Sequence, residues 1–297
     1  MKEIIDLHIH TKFSDGFLSS KDVIDEAIKN GVSIISITDH DTIDAYNDEL
    51  FEYSNSNNIK LIPGVEISTH TGKSGIHILG YNFDLNNKLL KDNLYQIRNA
   101  RHIYLYDVSI KLQKLGYYIN YEKLDKIEAV TKAHIAKDIV DNEKNEKLLL
   151  EQFNHIPSKG EFIETIMNEG CPAYVKKIAI TPKEASSLIK QAGGKVVLAH
   201  PIAYFYEDNL NERDIKNIID DIQPDGIESN YIYVDRYDNK IDECDKWNRF
   251  ALSNNLKVTV GSDFHNKDGI HPEIGLINES IDLKGKIDEI LAFILEK

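Results

Sequence analysis

The chain of 297 residues contains only two cysteines, Cys171 and Cys244, which excludes both a disulfide framework and a cysteine zinc site. Any bound metal must therefore take nitrogen and oxygen ligands. Basic residues are also short: 35 Lys and Arg stand against 49 Asp and Glu, a net charge of −14. Affinity for long duplex nucleic acid rests mainly on phosphate neutralisation by a basic face, and this balance argues against it. A small phosphate substrate stays admissible, because divalent cations held by surplus carboxylates would reverse the local potential. No apolar run approaches the length of a membrane span, and Met1-Lys2-Glu3-Ile4-Ile5-Asp6 lacks the apolar core of a signal peptide. The expectation is a soluble, cytoplasmic protein without a membrane partner. Internal repeats and low-complexity segments are absent too, and 41% hydrophobic with 28% charged residues is a globular composition. The length allows one large α/β domain or two.

What is present organises itself around Asp6-Leu7-His8-Ile9-His10, followed by Asp15. Side chains alternate along a strand, so Ile5, Leu7 and Ile9 are expected on one face and Asp6, His8 and His10 on the other. Two neighbouring imidazoles can grip one ion, although a lone His-x-His is as often a pair of surface histidines.

Next, Ser19-Ser20-Lys21-Asp22 predicts the start of a helix that Gly31 ends, and Val32 to Thr38 reads as a strand covered on both faces. Thr38-Asp39-His40-Asp41 lies at its end. A helix from about Ala45 to Asn57 precedes a strand from Lys60 to Ile67 that delivers Glu66, and a turn at 71–75 feeds a strand carrying His77. From about residue 85 the strand rhythm stops. Leu90, Leu94, Ile97, Arg101, Tyr104/Leu105, Val108, Leu112 and Leu115 recur every three or four residues, a long amphipathic helix ending at Gly116. With Lys132 to Val140 and Glu146 to Phe153 also helical, and with little Pro, Gly or Ser, 85–172 reads as a helical insertion domain between barrel segments 1–84 and 173–297. Thr181-Pro182-Lys183-Glu184 opens another helix. Strand character resumes at Lys195–Pro201, Gly226–Asn230 and Val258–His265, where Asp263 and His265 are expected on one strand face. The alternation implies a barrel-like or open parallel sheet.

Six of the 11 histidines (His8, His10, His40, His77, His200 and His265) fall at or just beyond expected C-terminal strand ends. That rim is where barrel enzymes gather their catalytic groups. Any one of them has an ordinary explanation as a satisfied polar residue; six interleaved with Asp15, Glu66 and Asp263 point to a metal cluster.

The ordered motifs Asp6-Leu7-His8-Ile9-His10, Thr38-Asp39-His40-Asp41, Pro63-Gly64-Val65-Glu66, His77-Ile78-Leu79-Gly80, Ala199-His200-Pro201 and Gly261-Ser262-Asp263-Phe264-His265 span nearly the whole chain. Together they resemble the polymerase and histidinol phosphatase (PHP) family of metal-dependent phosphoesterases. The resemblance implies an α/β fold, a distorted seven-stranded (β/α) TIM-like barrel, with two to three divalent ions at its C-terminal rim. By the same resemblance His8, His10, Glu66 and Asp263 hold one ion, Glu66 shares a second with His77 and His200, and Asp15, His40 and His265 hold the third. A nitrogen-rich set of this kind suits Mn, Fe or Zn better than Mg. Such ions bind phosphate oxygens, acidify a water and stabilise the leaving oxygen of an in-line displacement. Glu66, His200, Asp263 and His265 are the expected catalytic positions, although ligation competes with proton transfer for the imidazole lone pairs. No side-chain nucleophile stands out. Asp39 is expected to orient an imidazole rather than to ligate, with a helix cap as its alternative role.

The branch of the family with a helical insertion after the fourth motif is associated with removing the 3′-phosphate from nucleoside 3′,5′-bisphosphates and with 5′-to-3′ trimming of short RNA. Arg98, Arg101, Lys132, His134, Lys176 and Lys177 are candidate substrate-binding residues on or beside that insertion. Where related sequences carry Arg-Pro-His this chain has Lys132-Ala133-His134, a point charge in place of a bidentate fork. A phosphatase for histidinol phosphate or another small-molecule monoester is the competing enzyme reading, and a non-catalytic metal-binding domain within an assembly is the competing reading of another class.

Overall fold

The structure is a computed structural model that describes residues 4–72, 74–127, 130–176, 179–235, 237–275 and 286–296. Two compact units are present, one formed by Met1–Leu94 with Ile180–Lys297 and the other by Tyr95–Ala179. The chain begins with β1 (Ile5–Ile9), α1 (Ser20–Lys29), β2 (Ile34–Ile37), α2 (Asp48–Ser56), β3 (Lys60–His70), β4 (Gly75–Tyr81) and the long α3 (Lys88–Lys114). Shorter helices follow: α4 (Tyr121–Leu124), α5 (Lys132–Val140), α6 (Glu146–Phe153) and α7 (Lys159–Phe162). Then come α8 (Pro182–Gln191), β5 (Lys195–Leu198), α9 (Pro201–Glu207), α10 (Glu212–Ile222), β6 (Gly226–Asn230), β7 (Tyr233–Val234) and β8 (Lys240–Ile241). The last elements are α11 (Cys244–Ser253), β9 (Lys257–Val260) and α12 (Lys286–Leu295). No helix among the described residues is long and apolar enough to cross a membrane.

The sheet is seven-stranded in the order β1-β2-β3-β4-β5-β6-β9. Ile9 bridges Phe264 in parallel, and the His10 N–H donates to the Phe264 carbonyl at 2.9 Å, so the two edges meet and the sheet curls into a nearly closed barrel. The expected barrel is therefore observed. One strand departs from the parallel expectation: β4 runs antiparallel to both β3 and β5. The short 71–74 connection leaves no room for a crossover helix, which a parallel partner would need.

Two registers also differ from the simple alternation. The pairing of β1 with β2 shifts between Asp6 and Ile9, so Ile9 does not share the environment of Ile5 and Leu7. Ile5 and Leu7 pack with Leu79, Tyr81, Val197, Val260 and α12, whereas Ile9 packs with Val23, Ile24, Ile35 and Ile37. Buried Asp6 sits at the shift and accepts the N–H groups of His8 (3.2 Å), Ser262 (3.0 Å) and Gly275 (2.8 Å). At the other edge β9 stops at Val260, so Asp263 and His265 lie beyond the strand instead of on one face of it.

Helix starts follow their sequence signals. Ser19 and Thr181 cap α1 and α8 with reciprocal bonds to Asp22 and Glu184, and Pro182 occupies the first turn of α8. α2 begins later than Ala45 because Asn47 is its cap, accepting from the Leu50 N–H at 2.8 Å. Tyr46, just before it, is committed to the sheet. Its hydroxyl accepts from the N–H groups of Ile37 (3.1 Å) and Gly64 (2.8 Å) and lies 2.6 Å from the Ile37 carbonyl, stitching β2 to β3 where Pro63 has no N–H to give.

The second unit has its own core. Leu105, Val108, Leu112, Ile135, Ile139, Leu149 and Phe162 are buried together on the inward stripes of α3, α5, α6 and α7. Each is an apolar position of the helical period, which is why the segment folds as helices and not as a connecting loop.

Candidate metal centre

Nine donors predicted from separate motifs come together in the barrel unit: His8, His10, Asp15, His40, Glu66, His77, His200, Asp263 and His265. Glu66 is the hub. It stands in β3 three residues past Pro63, where that strand changes partner from parallel β2 to antiparallel β4. Its Oε2 lies 3.3 Å from His8 Nε2, 3.2 Å from His10 Nε2 and 3.1 Å from His40 Nδ1, while Oε1 lies 2.9 Å from His77 Nδ1 and 3.1 Å from His200 Nε2. His77 reaches the shared rim because β4 is antiparallel: it is the third residue of its strand, at the start rather than the end.

The remaining donors arrive on turns with constrained backbones. Asp263 (φ 53°) and His200 (φ 20°) are non-glycine residues with positive φ, as is Asp41 beside His40, a clustering typical of functional sites. Asp263 Oδ1 lies 3.3 Å from His8 Nε2 and 3.1 Å from His10 Nε2. Asp15 approaches His10 (3.7 Å), His40 (3.8 Å) and His265 (3.3 Å).

Whether these residues fit cations can be tested on their own geometry. The nitrogens and carboxylates are close yet poorly hydrogen-bonded: Asp15 Oδ1, Glu66 Oε2, His77 Nδ1 and His200 Nδ1 are buried atoms without a hydrogen-bond partner. Buried polar atoms are normally satisfied, and orphans call for an ion or water. His8 Nε2 and His10 Nε2 lie only 3.1 Å apart, near the edge of about 3.4 Å for two nitrogens bound at about 2.0–2.1 Å around one tetrahedral cation. Donor atoms gather as His8–His10–Glu66–Asp263, as His10–Asp15–His40–His265 and as His40–Glu66–His77. His10 and His40 thus stand close to more than one group, and His200 adjoins the third through Glu66.

Electrostatics prepare the donors. Burial alone would raise the Glu66 and Asp15 carboxyls, but the surrounding imidazoles hold both well below the usual carboxylate range. Burial of His10 is likewise outweighed, by Asp263 and Glu66, and its pKa rises to about 10. His40 goes the other way: burial takes it down to about 3, so it is neutral and its lone pair is available.

Among the described residues Asp39 has no hydrogen bond to an imidazole. It accepts from Thr11 N–H (2.7 Å), Thr11 Oγ1 (2.6 Å) and Ser14 Oγ (2.6 Å), and reaches His10 only through Ser14, whose Oγ is 3.5 Å from Nδ1. An acidic residue that touches a ligand imidazole directly was not singled out from the sequence. Glu228 in β6 places both carboxylate oxygens 3.0 Å from His8 Nδ1. The available signal was an acidic residue inside the buried strand Gly226-Ile227-Glu228-Ser229-Asn230.

The candidate substrate cations all belong to the second unit. Arg101 is buried, Arg98 half-buried and Lys176 exposed. Lys132 is half-buried, donates to Asn168 Oδ1 at 3.0 Å, and has its pKa lowered by burial. His134 Nδ1 accepts from the Thr131 N–H at 3.1 Å within the cap of α5. Lys177 lies outside the described residues.

Comparison with known proteins agrees with this architecture. A model of the PHP domain matches residues 6–194. A 5′-3′ exoribonuclease of Haemophilus influenzae is 31% identical over 89% of this chain and 91% of its own length. A 3′,5′-nucleoside bisphosphate phosphatase of Chromobacterium violaceum is 28% identical over 88% and 87%. Among solved structures, one from Bifidobacterium adolescentis named as a metal-dependent phosphoesterase superposes with a TM-score of 0.72 at 22% identity, covering 99% of this chain and 97% of its own. An amidohydrolase from Chromobacterium violaceum gives 0.75 at 24% identity, covering 96% of each chain. At such identities the two structures bear on fold alone. The extended matches in sequence, together with a rim of buried histidines and carboxylates, show that this chain belongs to the PHP domain family and is a metal-dependent hydrolase of phosphoester bonds.

Proposed function

We propose that the protein removes the 3′-phosphate of nucleoside 3′,5′-bisphosphates, with 5′-to-3′ trimming of short RNA as a related activity, using two to three divalent cations held by the nine donors. The observation that carries the chemistry is the convergence of buried nitrogen and oxygen donors on Glu66, several with no hydrogen-bond partner. The substrate class is supported by two relatives that cover most of the chain, one named as a 5′-3′ exoribonuclease and one as a 3′,5′-nucleoside bisphosphate phosphatase.

Cations bound here supply Lewis acidity toward phosphoryl oxygens and lower the pKa of the attacking water. The chain's own residues do the rest. Glu66 turns one oxygen to His8, His10 and His40 and the other to His77 and His200, so a single carboxylate serves both sides of the cluster. Exposure falls from His265 and His77, about one-third exposed, to fully buried His8 and His10, so substrate meets the rim formed by the former pair. His265 Nδ1 lies 2.8 Å from the Asp263 carbonyl, which fixes its Nε2 toward Asp15. We assign Lys132 and His134 of the helical unit to recognition of the second phosphate, with Lys acting as a point charge.

The test is phosphate release, with Mn²⁺ added, from adenosine 3′,5′-bisphosphate, AMP, histidinol phosphate and a 5′-phosphorylated RNA pentamer. Preference for the bisphosphate supports the assignment. Preference for histidinol phosphate keeps the metal chemistry and rejects the substrate, and no release from any of them rejects catalysis.

A further inference from the structure

Glu228 is an acidic residue in a strand whose five residues are all buried, and it is itself 1% exposed. A buried carboxylate is costly unless paired and hydrogen-bonded. Among the described residues no Lys or Arg forms an ion pair with it. Its partners are instead two residues of the metal centre. Both oxygens lie 3.0 Å from His8 Nδ1, and Oε2 also accepts the main-chain N–H of His200 at 3.0 Å.

We propose that Glu228 is a positioning residue that binds no metal but prepares ligands on two strands, setting the tautomer of His8 and the backbone of His200. A carboxylate can only accept, so His8 must carry its hydrogen on Nδ1. Nε2 is then the atom left to offer a lone pair to a cation, and it faces Asp263 Oδ1 (3.3 Å), Glu66 Oε2 (3.3 Å) and His10 Nε2 (3.1 Å). At His200 the same carboxylate holds a main chain with φ 20° and ψ 64°, outside the ordinary allowed regions, immediately before Pro201 and α9. That conformation carries His200 Nε2 to 3.1 Å from Glu66 Oε1.

The packing around the pair reinforces the assignment. A Cβ at Gly261 would fall 2.2 Å from His8 Cβ and 2.3 Å from Glu228 Oε1. The residue just past β9 therefore has to lack a side chain for carboxylate and imidazole to meet. The donors Asp15, His40 and His265 have no hydrogen bond or ion pair to Glu228 among the described residues; the loop bearing Asp15 is held instead by Asp39 through Thr11 and Ser14. Glu228 thus serves the groups containing His8 and His200 and leaves the Asp15–His40–His265 group to other supports.

Glu228→Gln tests this with almost no change in volume. Because both oxygens are equidistant from Nδ1, either orientation of the amide sets an NH₂ as well as a carbonyl beside it. The variant therefore no longer enforces Nδ1–H and admits the Nε2–H tautomer, which blocks ligation. The inference rests on the metal-binding reading above, and the experiment separates the two. Chelator-stripped wild-type and variant proteins are titrated with Zn²⁺, bound metal is counted, and imidazole ¹⁵N shifts are read by NMR. The expected result is a wild-type His8 protonated on Nδ1 with and without Zn²⁺. In Glu228→Gln, Nε2–H becomes populated at His8 in the metal-free protein, affinity falls 10–100-fold for the ions using His8 and His200, and the remaining ion binds within threefold of wild type. Uniform weakening of every ion, or unchanged affinities with Nδ1–H retained, would overturn the proposal. So would a Zn²⁺-loaded wild type with His8 ligating through Nδ1, which needs no variant at all. A wild type that takes up no Zn²⁺ would instead reject the metal-binding reading itself.

Discussion

Replacing Glu66 by Gln leaves shape nearly unchanged and removes one charge from the centre of the cluster. In the native protein that carboxylate stays ionised, because the imidazoles grouped around it outweigh its burial. Five imidazole nitrogens lie within 3.3 Å of its two oxygens. In the variant one of the two positions becomes an NH₂ donor and can no longer serve as a ligand. If it replaces Oε2, the contacts toward His8, His10 and His40 lose their acceptor; if it replaces Oε1, those toward His77 and His200 do. Either orientation disables one side of a shared ligand. Altering groups that merely orient ligands already costs 10–100-fold, so a direct bridging ligand should cost more, on the order of 1000-fold in kcat, or about 4 kcal/mol of transition-state stabilisation. The fold should survive, since Glu66 keeps its backbone pairing with Leu79 across β3 and β4. The assay is phosphate release with Mn²⁺ alongside metal content by mass spectrometry and circular dichroism. A folded variant retaining more than one-tenth of wild-type kcat with full metal content would refute the shared-carboxylate reasoning.

Other consequences follow from particular contacts. Tyr46→Phe strips the hydroxyl that satisfies the Ile37 and Gly64 N–H groups; thermal or urea unfolding should show a loss of about 2–3 kcal/mol, with kcat per folded molecule within twofold of wild type, and an unchanged midpoint would reject the stitching role. Lys132→Ala or His134→Ala should raise KM for a bisphosphate at least tenfold more than for a monophosphate, and equal effects on both would reject the second anchor. In chelator-stripped protein the raised pKa of His10, about 10, has a definite sign: its stabilisation is complete below the ordinary imidazole value near 6.5 and is lost as pH rises through about 10. Urea unfolding of stripped protein should therefore show falling stability between pH 7 and 10, and metal uptake at pH 7 should release protons; pH-independent stability with no proton release would contradict this.

Much of the site could be read before folding because each donor belongs to a short local motif with its own strand or turn. His8 and His10 needed only the period of a strand, and Glu66 only its place after Pro63-Gly64. What could not be read depended on partners distant in sequence. His77 was expected at a strand's C-terminal end, and the direction of β4 became visible only through its pairing with β3 and β5. Asp263 and His265 looked like strand residues because alternation continues past Val260, where the chain instead turns with Asp263 at φ 53°. Glu228 carries no local mark beyond its burial, since its meaning comes from His8, 220 residues away. Asp39, expected to orient an imidazole, turns its carboxylate to Thr11 and Ser14, and Ser14 Oγ in turn lies 3.5 Å from His10 Nδ1.

The central claim is that the donors gathered on Glu66 hold cations on which hydrolysis depends. The most direct measurement titrates chelator-stripped protein with Mn²⁺ while following bound metal and phosphate release from adenosine 3′,5′-bisphosphate in the same samples. The account predicts no turnover at zero occupancy and activity that rises as two to three equivalents bind. Turnover by metal-free protein, or full occupancy without phosphate release from this substrate or the RNA pentamer, would contradict it.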